Sequence, residues 1–190
     1  MSNQFQEHFK KEIIPRLMKE LNIKNIMAVP RITKVKINVG IGTYLAGGKD
    51  YSEVVKNITE MSGQKPIVTH AKKAISNFKI RIGLPVGITV TLRKKRMYDF
   101  VNKLVNSVLP RTRDFRGIPP KSFDKKGNYS LGISEFTVFP EIRPEDIVKN
   151  HGVEITIVTS AKNDEEGYAL LKNLGFPFKR VSSGKIAKKT

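Results

Sequence analysis

Two segments of this chain alternate between apolar and polar residues, and this constrains the fold more than any other feature. Residues 31–39 and 86–93 both show the pattern. Successive side chains of a β-strand point to opposite faces, so both segments are predicted to be strands with one buried and one polar face. The polar positions are Lys34, Lys36, Asn38, Thr89, Thr91 and Arg93. If the apolar faces pack on helices, these six side chains form one open sheet surface.

Apolar residues at helical spacing predict four longer helices and one short one. The longer ones are 3–22, divided at Pro15, then 51–61 ended by Gly63, 97–108 stopped by Pro110, and one capped by Asn163 and Glu166 that ends at Gly175; Pro144 begins the short one. Further strands are predicted at 67–70, 128–133, 135–139 and 153–159, and loops at 71–85 and 111–127. This irregular order favours an α+β fold, with a mainly antiparallel open sheet and helices packed on one face.

The length suits a single domain, which we place at residues 1–180. Residues 181–190 are rich in Ser, Gly and Lys and have the composition of a disordered basic tail. No apolar run approaches the roughly 20 residues that cross a bilayer, and the N-terminus lacks the basic and apolar regions of an export signal. The chain is therefore predicted to be neither membrane-spanning nor exported by that route.

Positive charge is concentrated in the first two thirds of the chain. The net charge of the whole chain is +18. Residues 1–134 carry 26 of the 35 Lys and Arg but 9 of the 17 acids, and the 38 residues between Glu60 and Asp99 contain nine cations and no carboxylate. Such a surface attracts polyanions by releasing their counterions. The charge indicates a nucleic acid, and the polar strand faces suit phosphates, sugars and 2′-hydroxyls. A highly charged surface that serves solubility is the alternative.

Motifs for catalysis or metal binding are poorly formed. The glycines between Gly40 and Lys49 lie where a phosphate-binding loop belongs, but Gly48 takes the place of its lysine, and Asp50 follows Lys49 where Ser or Thr is required. Leu45 stands where a dinucleotide motif needs its third glycine. The chain has no cysteine, and its histidines are scattered at His8, His70 and His151. We therefore predict no enzymatic activity, no cofactor and no metal site.

Five long segments of the sequence match one protein family. They are SGQKP at 62–66, AKKAISNFK at 71–79, LPVG at 84–87 with VTLR at 90–93, LPRTRDFRG at 109–117 and GNYSLG at 127–132. On these segments the chain, from about residue 5 to Arg180, resembles the family of the fifth protein of the large ribosomal subunit, in its bacterial or organellar form. The resemblance implies a structural, non-enzymatic protein in the ribosome of the cytoplasm, with an organellar ribosome as the alternative.

The resemblance also implies specific partners. The family binds 5S rRNA through an open sheet face, links it to the large-subunit rRNA in the central protuberance, and contacts P-site tRNA, the small-subunit head and neighbouring ribosomal proteins. The candidate residues for 5S rRNA are Lys34, Lys36, Asn38, Gln64, Lys65, Thr89, Thr91 and Arg93. The candidates in the tRNA-facing loop are Lys72, Lys73, Ser76, Asn77, Phe78, Lys79 and Arg81. The Phe78 ring could stack on a base or ribose, or it could anchor its own loop.

Two other functions stay open at this point. A phosphoryl-transfer or nucleotide-using enzyme built on residues 40–49 would bind a mononucleotide saturably in the presence of magnesium. A general nucleic-acid chaperone would bind any polyanion through charge, with equal affinity for 5S rRNA and an unrelated hairpin. Sequence-selective binding would exclude the chaperone.

Overall fold

Among the residues that the structure describes, five strands form one antiparallel sheet in the order β2–β3–β1–β5–β4. This computed structural model describes residues 7, 9–42, 50–78, 80–142 and 151–179. The strands are β1 (Ile32–Gly40), β2 (Ile67–His70), β3 (Pro85–Leu92), β4 (Tyr129–Ile133) and β5 (Val153–Thr159). Each lies within a residue of a predicted strand. Strands β1, β3, β4 and β5 carry the apolar alternation of a half-buried sheet, whereas the short strand β2 does not. The α+β prediction is confirmed.

Four α-helices of seven or more residues accompany the sheet in the part of the chain that the structure describes. A π-helical turn, Phe9–Ile13, runs into α1 (Ile14–Glu20), followed by α2 (Ser52–Ser62), α3 (Lys94–Lys103) and α4 (Asp164–Asn173). Gly63 ends α2 in the left-handed conformation, at φ 63°, as predicted. Helix α2 packs on β3 and α3 packs on β1. None of the helices in the described residues is long and apolar enough to cross a membrane.

Several boundaries differ from the sequence prediction. Pro110 does not stop α3 at residue 108: the helix widens into a π-helical segment, Leu104–Val108, and ends with the turn Leu109–Arg111. The wider turn makes room for a proline ring that would clash in a regular α-helix. The capping box predicted for α4 is wrong, because Asn163 and Glu166 do not cap each other's backbone N–H groups. The Glu166 carboxylate accepts from the backbone N–H of Lys162 at 2.9 Å, and Asn163 makes no side-chain cap.

The predicted strand at 135–139 is also wrong. It contains a 3₁₀ turn, Phe136–Val138, that buries Phe136, Val138 and Phe139 together. The Phe136 ring stacks on His151, with 3.9 Å between ring centroids. Because adjacent residues 138 and 139 both enter the core, the extended alternation of a strand cannot be kept. The short helix predicted at Pro144, the start of the first helix and the 181–190 tail lie outside the described residues.

The core lies between the helices and one face of the sheet. The inner positions of the three central strands are almost fully buried: Val35, Ile37, Val39, Ile88, Val90, Leu92, Ile155 and Ile157. Helices supply Ile58 and Met61 from α2, Val101 from α3 and Leu170 from α4 to the same cluster. Burial of each such side chain stabilises the fold by about 1.5–3 kcal/mol. This leaves the alternate side chains of the strands on the outer face.

Candidate nucleic-acid interface

Strand register brings the predicted polar residues together on the outer face of the sheet. Lys36 of β1 pairs with Thr91 of β3, and Asn38 pairs with Thr89. If the register continues past the end of β3, it sets Arg93 opposite Lys34. The six residues that alternation selects therefore share one surface, called the open face below, and their role in binding RNA stays a prediction.

Exposure distinguishes the open face from the core. Lys36 and Arg93 are exposed, and Lys34, Asn38, Thr89 and Thr91 are half-buried, whereas the residues between them in sequence are buried. A β-bulge between Ile32 and Lys34 absorbs Thr33 as an extra residue, so Ile32 stays buried while Lys34 keeps its outward position. Thr33 donates its hydroxyl to the Val158 carbonyl at 2.9 Å. The bulge thus extends the open face to the start of β1.

The cations of β1 have no carboxylate partner within the described residues. Ion pairs there join Lys11 to Glu7, Arg16 to Glu12 and Lys103 to Glu141, and none includes Lys34 or Lys36. An ammonium group without a neighbouring carboxylate attracts an external anion more strongly than a neutralised one does. These two cations of the open face are therefore available for phosphates.

Neutral groups of the open face are held by hydrogen bonds. The Asn38 side-chain amide donates to Glu154 Oε2 at 3.3 Å, and the Thr89 hydroxyl donates to the Ile37 carbonyl at 3.2 Å. Since the Thr89 proton is used internally, its oxygen presents lone pairs outward. These groups offer hydrogen bonds of fixed direction, which suits the recognition of shape more than of charge.

Gln64 and Lys65 lie at the edge of the same sheet, at the basic end of the open face. Ile67 pairs with Thr89, so the antiparallel register carried back from β2 sets Lys65 beside Thr91. The Gln64 side-chain carbonyl accepts from Arg96 Nη1 at 3.4 Å. Arg96 belongs to the exposed run at residues 93–96 that opens α3. Sequence reasoning missed Arg96 as a neighbour of Gln64, because strand alternation stops at residue 93.

The predicted tRNA-facing loop is more ordered than a plain loop. Its base is closed by hydrogen bonds of Ala71 N to Leu84 O at 2.8 Å and Gly83 N to Ala71 O at 3.0 Å. Further out, Ile75 and Ile80 exchange two backbone hydrogen bonds, at 2.9 and 3.1 Å, around the 3₁₀ turn Ser76–Phe78. The segment is thus a hairpin that projects between β2 and β3.

Side chains along this hairpin are exposed. The exposed candidates are Lys72, Lys73, Ser76, Asn77, Phe78 and Arg81, and Lys79 lies outside the described residues. Phe78 is 73% exposed and Ile82 is 71% exposed. A ring so exposed does not anchor its own loop, which favours the alternative that Phe78 stacks on a ligand.

Two strands that sequence reasoning did not assign to the site also contribute to the open face. Thr156 of β5 pairs with Lys36, and Glu154 pairs with Asn38. Ser130 of β4 lies beside Thr156, with 3.3 Å between their hydroxyl oxygens. The alternation of residues 153–159 predicts a strand but gives no sign that it pairs with β1. The open face is therefore wider and less uniformly cationic than predicted.

The alternative nucleotide site receives little support from its described parts. Residues 43–49 lie outside the described residues. Asp50 accepts from the Ser52 backbone N–H at 3.1 Å at the start of α2, and hydrogen bonds from the Ser52 side chain and backbone lower the pKa of its carboxyl. This caps a helix. No group of three His, Asp or Glu side chains in the described ranges is arranged to hold a metal ion.

Comparisons with known proteins agree over most of the chain. The model of the family described as "Ribosomal protein L5" matches residues 25–81, and a second model, which describes the C-terminus of the same ribosomal protein family, matches residues 85–178. Among the similar proteins, large ribosomal subunit protein uL5 of Halothermothrix orenii is 55% identical over 172 residues, which cover 90% of this chain and 96% of that protein.

Two further relatives have the same description. Large ribosomal subunit protein uL5 of Thermotoga maritima is 53% identical over 178 residues, which cover 92% of this chain and 95% of that protein. Its counterpart in Trichodesmium erythraeum is 51% identical over 179 residues, with 94% and 99% covered. With matches of this identity over almost the full length, the chain belongs to the uL5 family, which consists of structural ribosomal proteins and not of enzymes.

Proposed function

We propose that this protein, as a structural constituent of the large ribosomal subunit in the cytoplasm, binds 5S rRNA through its open face. In the same proposal it links 5S rRNA to the large-subunit rRNA in the central protuberance and contacts P-site tRNA through the hairpin at residues 71–81. It also contacts the small-subunit head and neighbouring ribosomal proteins. Family membership supports the ribosomal role, and the geometry of the sheet supports the assignment of the 5S rRNA contact to one face.

One observation carries the proposal most directly: register sets Lys36 beside Thr91 and Asn38 beside Thr89 on an accessible sheet face. Phosphate contacts position a nucleic acid without reading it, whereas hydrogen bonds of fixed direction define its register. A net hydrogen bond contributes about 1 kcal/mol, so each neutral residue should change affinity by roughly fivefold. A face that combines both kinds of group suits one structured RNA.

The two kinds of group occupy different parts of the open face. Lys34, Arg93 and Lys65 lie toward its basic end, near the exposed start of α3. Asn38 and Thr89 lie further along the strands, beyond the row formed by Lys36 and Thr91. We infer that the phosphate backbone of 5S rRNA runs across the basic end and that ribose or base edges face Asn38. A-form RNA displays 2′-hydroxyls and base edges in its shallow minor groove, which suits this flat surface.

The tRNA contact is supported by the exposure and charge of the hairpin. Lys72, Lys73 and Arg81 are exposed around the exposed Phe78 ring. Stacking of a base on an aromatic ring contributes about 1–3 kcal/mol, and the cations add attraction for phosphates. The contacts with the large-subunit rRNA, the neighbouring proteins and the small-subunit head are supported by the family resemblance.

Filter binding tests the proposal and separates it from its alternatives. We expect the protein to bind 5S rRNA more tightly than a scrambled RNA of the same length and composition across a salt series, including physiological salt. Equal affinity for the two RNAs would contradict the proposal and favour a general chaperone. Saturable binding of a mononucleotide with magnesium, without selective RNA binding, would favour the enzyme.

A further inference from the structure

Glu154 is an unexpected residue on a surface proposed to bind RNA. It is the one acidic residue among the outward positions of the five strands described here, it is exposed, and it lies beside Asn38 in the register of β1 and β5. A carboxylate repels phosphate, so at this position it weakens general binding to polyanions. Its presence needs an explanation that the cationic residues do not supply.

The contact between Glu154 and Asn38 fixes the direction of the Asn38 amide. A carboxylate only accepts hydrogen bonds, so the Asn38 nitrogen must face Glu154, where Nδ2 donates to Oε2 at 3.3 Å. The amide oxygen is turned the other way, toward β3, and lies 3.9 Å from the position that a Cβ at Gly87 would occupy. Without Glu154, the amide could rotate by half a turn at little cost, since its two ends have nearly the same shape.

Glu154 also determines which groups can approach this part of the open face. Its carboxylate and the Asn38 oxygen are both acceptors, so they attract hydrogen-bond donors and turn away phosphate oxygens. The donors that RNA offers in a shallow groove are the ribose 2′-hydroxyl and the amino group of guanine. The two cations of β1, Lys34 and Lys36, lie further along the strand.

We propose that Glu154 is a positioning and selectivity residue of the RNA interface. It holds the Asn38 amide with its oxygen available to the RNA, and it repels phosphates, so that RNA docks in the register that presents hydrogen-bond donors to this pair. The inference rests on the proposed binding of 5S rRNA by the open face. It adds a residue that improves selectivity while it lowers affinity for RNA in general.

The first test compares two variants that remove one negative charge each. Glu154→Gln removes it from the open face, and Glu60→Gln removes it from α2, across the core from the open face. Affinities are measured by filter binding for 5S rRNA and for an unrelated hairpin of equal length. We expect Glu154→Gln to strengthen hairpin binding and to reduce the preference for 5S rRNA by about fivefold or more, whereas Glu60→Gln leaves the preference within about twofold.

A third variant separates the two roles of the residue. Glu154→Asp keeps the charge and withdraws the carboxylate from Asn38, so it should weaken 5S rRNA binding without strengthening hairpin binding. In a double-mutant cycle, Glu154→Asp should have little further effect once Asn38→Ala is present, because its effect acts through that amide. Thermal unfolding of each variant shows whether folding is intact, and the exposure of Glu154 predicts that it is.

Analogue interference then identifies the donor. Transcripts of 5S rRNA carrying random 2′-deoxy or inosine substitutions are selected for binding; the first removes a 2′-hydroxyl and the second a guanine amino group. We expect at least one substitution that interferes with binding to the wild type and to Glu60→Gln but not to Glu154→Gln. Identical interference patterns, or an equal preference for 5S rRNA in Glu154→Gln and Glu60→Gln, would overturn the inference. If the wild type itself showed no preference for 5S rRNA, the proposed function would fail instead.

Discussion

Asn38 and Lys36 are two residues apart on the same strand and are expected to contribute to RNA binding in different ways. The Asn38 amide is half-buried and held by Glu154, so it can offer a directed hydrogen bond. Lys36 is exposed and has no carboxylate partner among the described ion pairs, so it acts as a point charge. The salt dependence of binding distinguishes the two contributions.

Substitutions at these residues should therefore change different parameters. Asn38→Ala or Thr91→Ala should weaken 5S rRNA binding by about fivefold at every salt concentration, with an unchanged slope of log affinity against log salt. Lys34→Ala or Lys36→Ala should lower that slope by roughly 0.7–0.9 for each phosphate that the variant no longer neutralises. Filter binding across a salt series measures both quantities. A changed slope for Asn38→Ala would show that the residue acts through charge or through folding.

Tyr129 predicts a pH dependence of stability. Its side chain is fully buried, its hydroxyl donates to the Pro119 carbonyl at 2.9 Å, and burial raises its pKa to about 12. In the unfolded chain the phenol ionises near pH 10. Below pH 10 both states keep the proton, so the stabilisation is fully present. Between pH 10 and 12 the unfolded state ionises first, and stability should fall by about 2–3 kcal/mol.

Tyr129→Phe isolates this effect from the titration of other groups. Denaturant unfolding of both proteins at pH 9, 10 and 11 gives the difference in free energy of unfolding at each pH. We expect the wild type to be more stable at pH 9 by about 1 kcal/mol, through the hydrogen bond to Pro119, and this advantage to shrink as pH rises. An advantage that stayed constant up to pH 11 would contradict the raised pKa.

At the residue scale, alternation in the sequence is sufficient to select the outward positions of β1 and β3. Pleating alone decides which side chains share a face of one strand, so the sequence by itself assigns Lys36 and Thr91 to polar faces. The neighbour of Asn38 cannot be predicted in this way. Glu154 is 116 residues away in the sequence, and strand pairing over that distance leaves no local pattern.

Among the elements, α4 depends on a close approach to the loop before β4. A Cβ at Gly167 of α4 would lie 2.6 Å from the Gly127 carbonyl oxygen and 2.9 Å from the Gly127 Cα, both backbone atoms. Gly127 itself has φ 74°, and its N–H donates to Asp164 at 3.1 Å. The helix can pack here because neither position has a side chain.

Gly167→Ala should therefore destabilise the fold, although alanine is the better helix former by about 1 kcal/mol. We expect a loss of about 1–3 kcal/mol from the overpacking, measured by denaturant unfolding. Gly132→Ala is the matched control, since Gly132 is exposed on β4 and no described residue lies within 4 Å of its added Cβ. The control should change stability by less than about 1 kcal/mol. Equal effects of the two substitutions would contradict the packing argument.

The hairpin at residues 71–81 should contribute to binding and not to stability. Phe78→Ala removes a ring that is 73% exposed, so the free energy of unfolding should change by less than about 0.5 kcal/mol. In reconstituted large subunits the same change should weaken P-site tRNA binding by about fivefold or more, while 5S rRNA binding stays unchanged. Ile82→Ala removes an apolar side chain of similar exposure and serves as the control. Unchanged tRNA affinity in Phe78→Ala would contradict the proposed role of the ring.

Elements with strong periodicity can be predicted, and elements set by packing cannot. The predicted bounds of strand β5 are correct because Val153–Thr159 alternates without interruption. The turn at Phe136–Val138 has a similar apolar content, but burial of both Val138 and Phe139 is a tertiary effect. The sequence rule that a proline ends a helix predicts a stop at Pro110. The rule fails here because the π-helical segment Leu104–Val108, which depends on the packed structure, has no signal in the sequence.

For the whole molecule, the sheet joins both parts of the sequence that the family models cover. Strands β1 and β2 come from residues 25–81 and the other three from residues 85–178, and β1 lies at the centre between β3 and β5. The α+β class can be predicted from the order of elements. The strand order cannot, because it depends on pairings between distant segments. A single domain over residues 1–180 stays a prediction.

The most direct test of the central claim maps the face that touches 5S rRNA. Because the chain has no cysteine, a single one can carry a tethered hydroxyl-radical source. Thr156→Cys places it on the open face beside Lys36, and Glu60→Cys places it on α2, on the helical side of the sheet. We expect the first probe to cleave 5S rRNA at a few adjacent nucleotides and the second to leave it intact. Cleavage from Glu60→Cys without cleavage from Thr156→Cys would contradict the account.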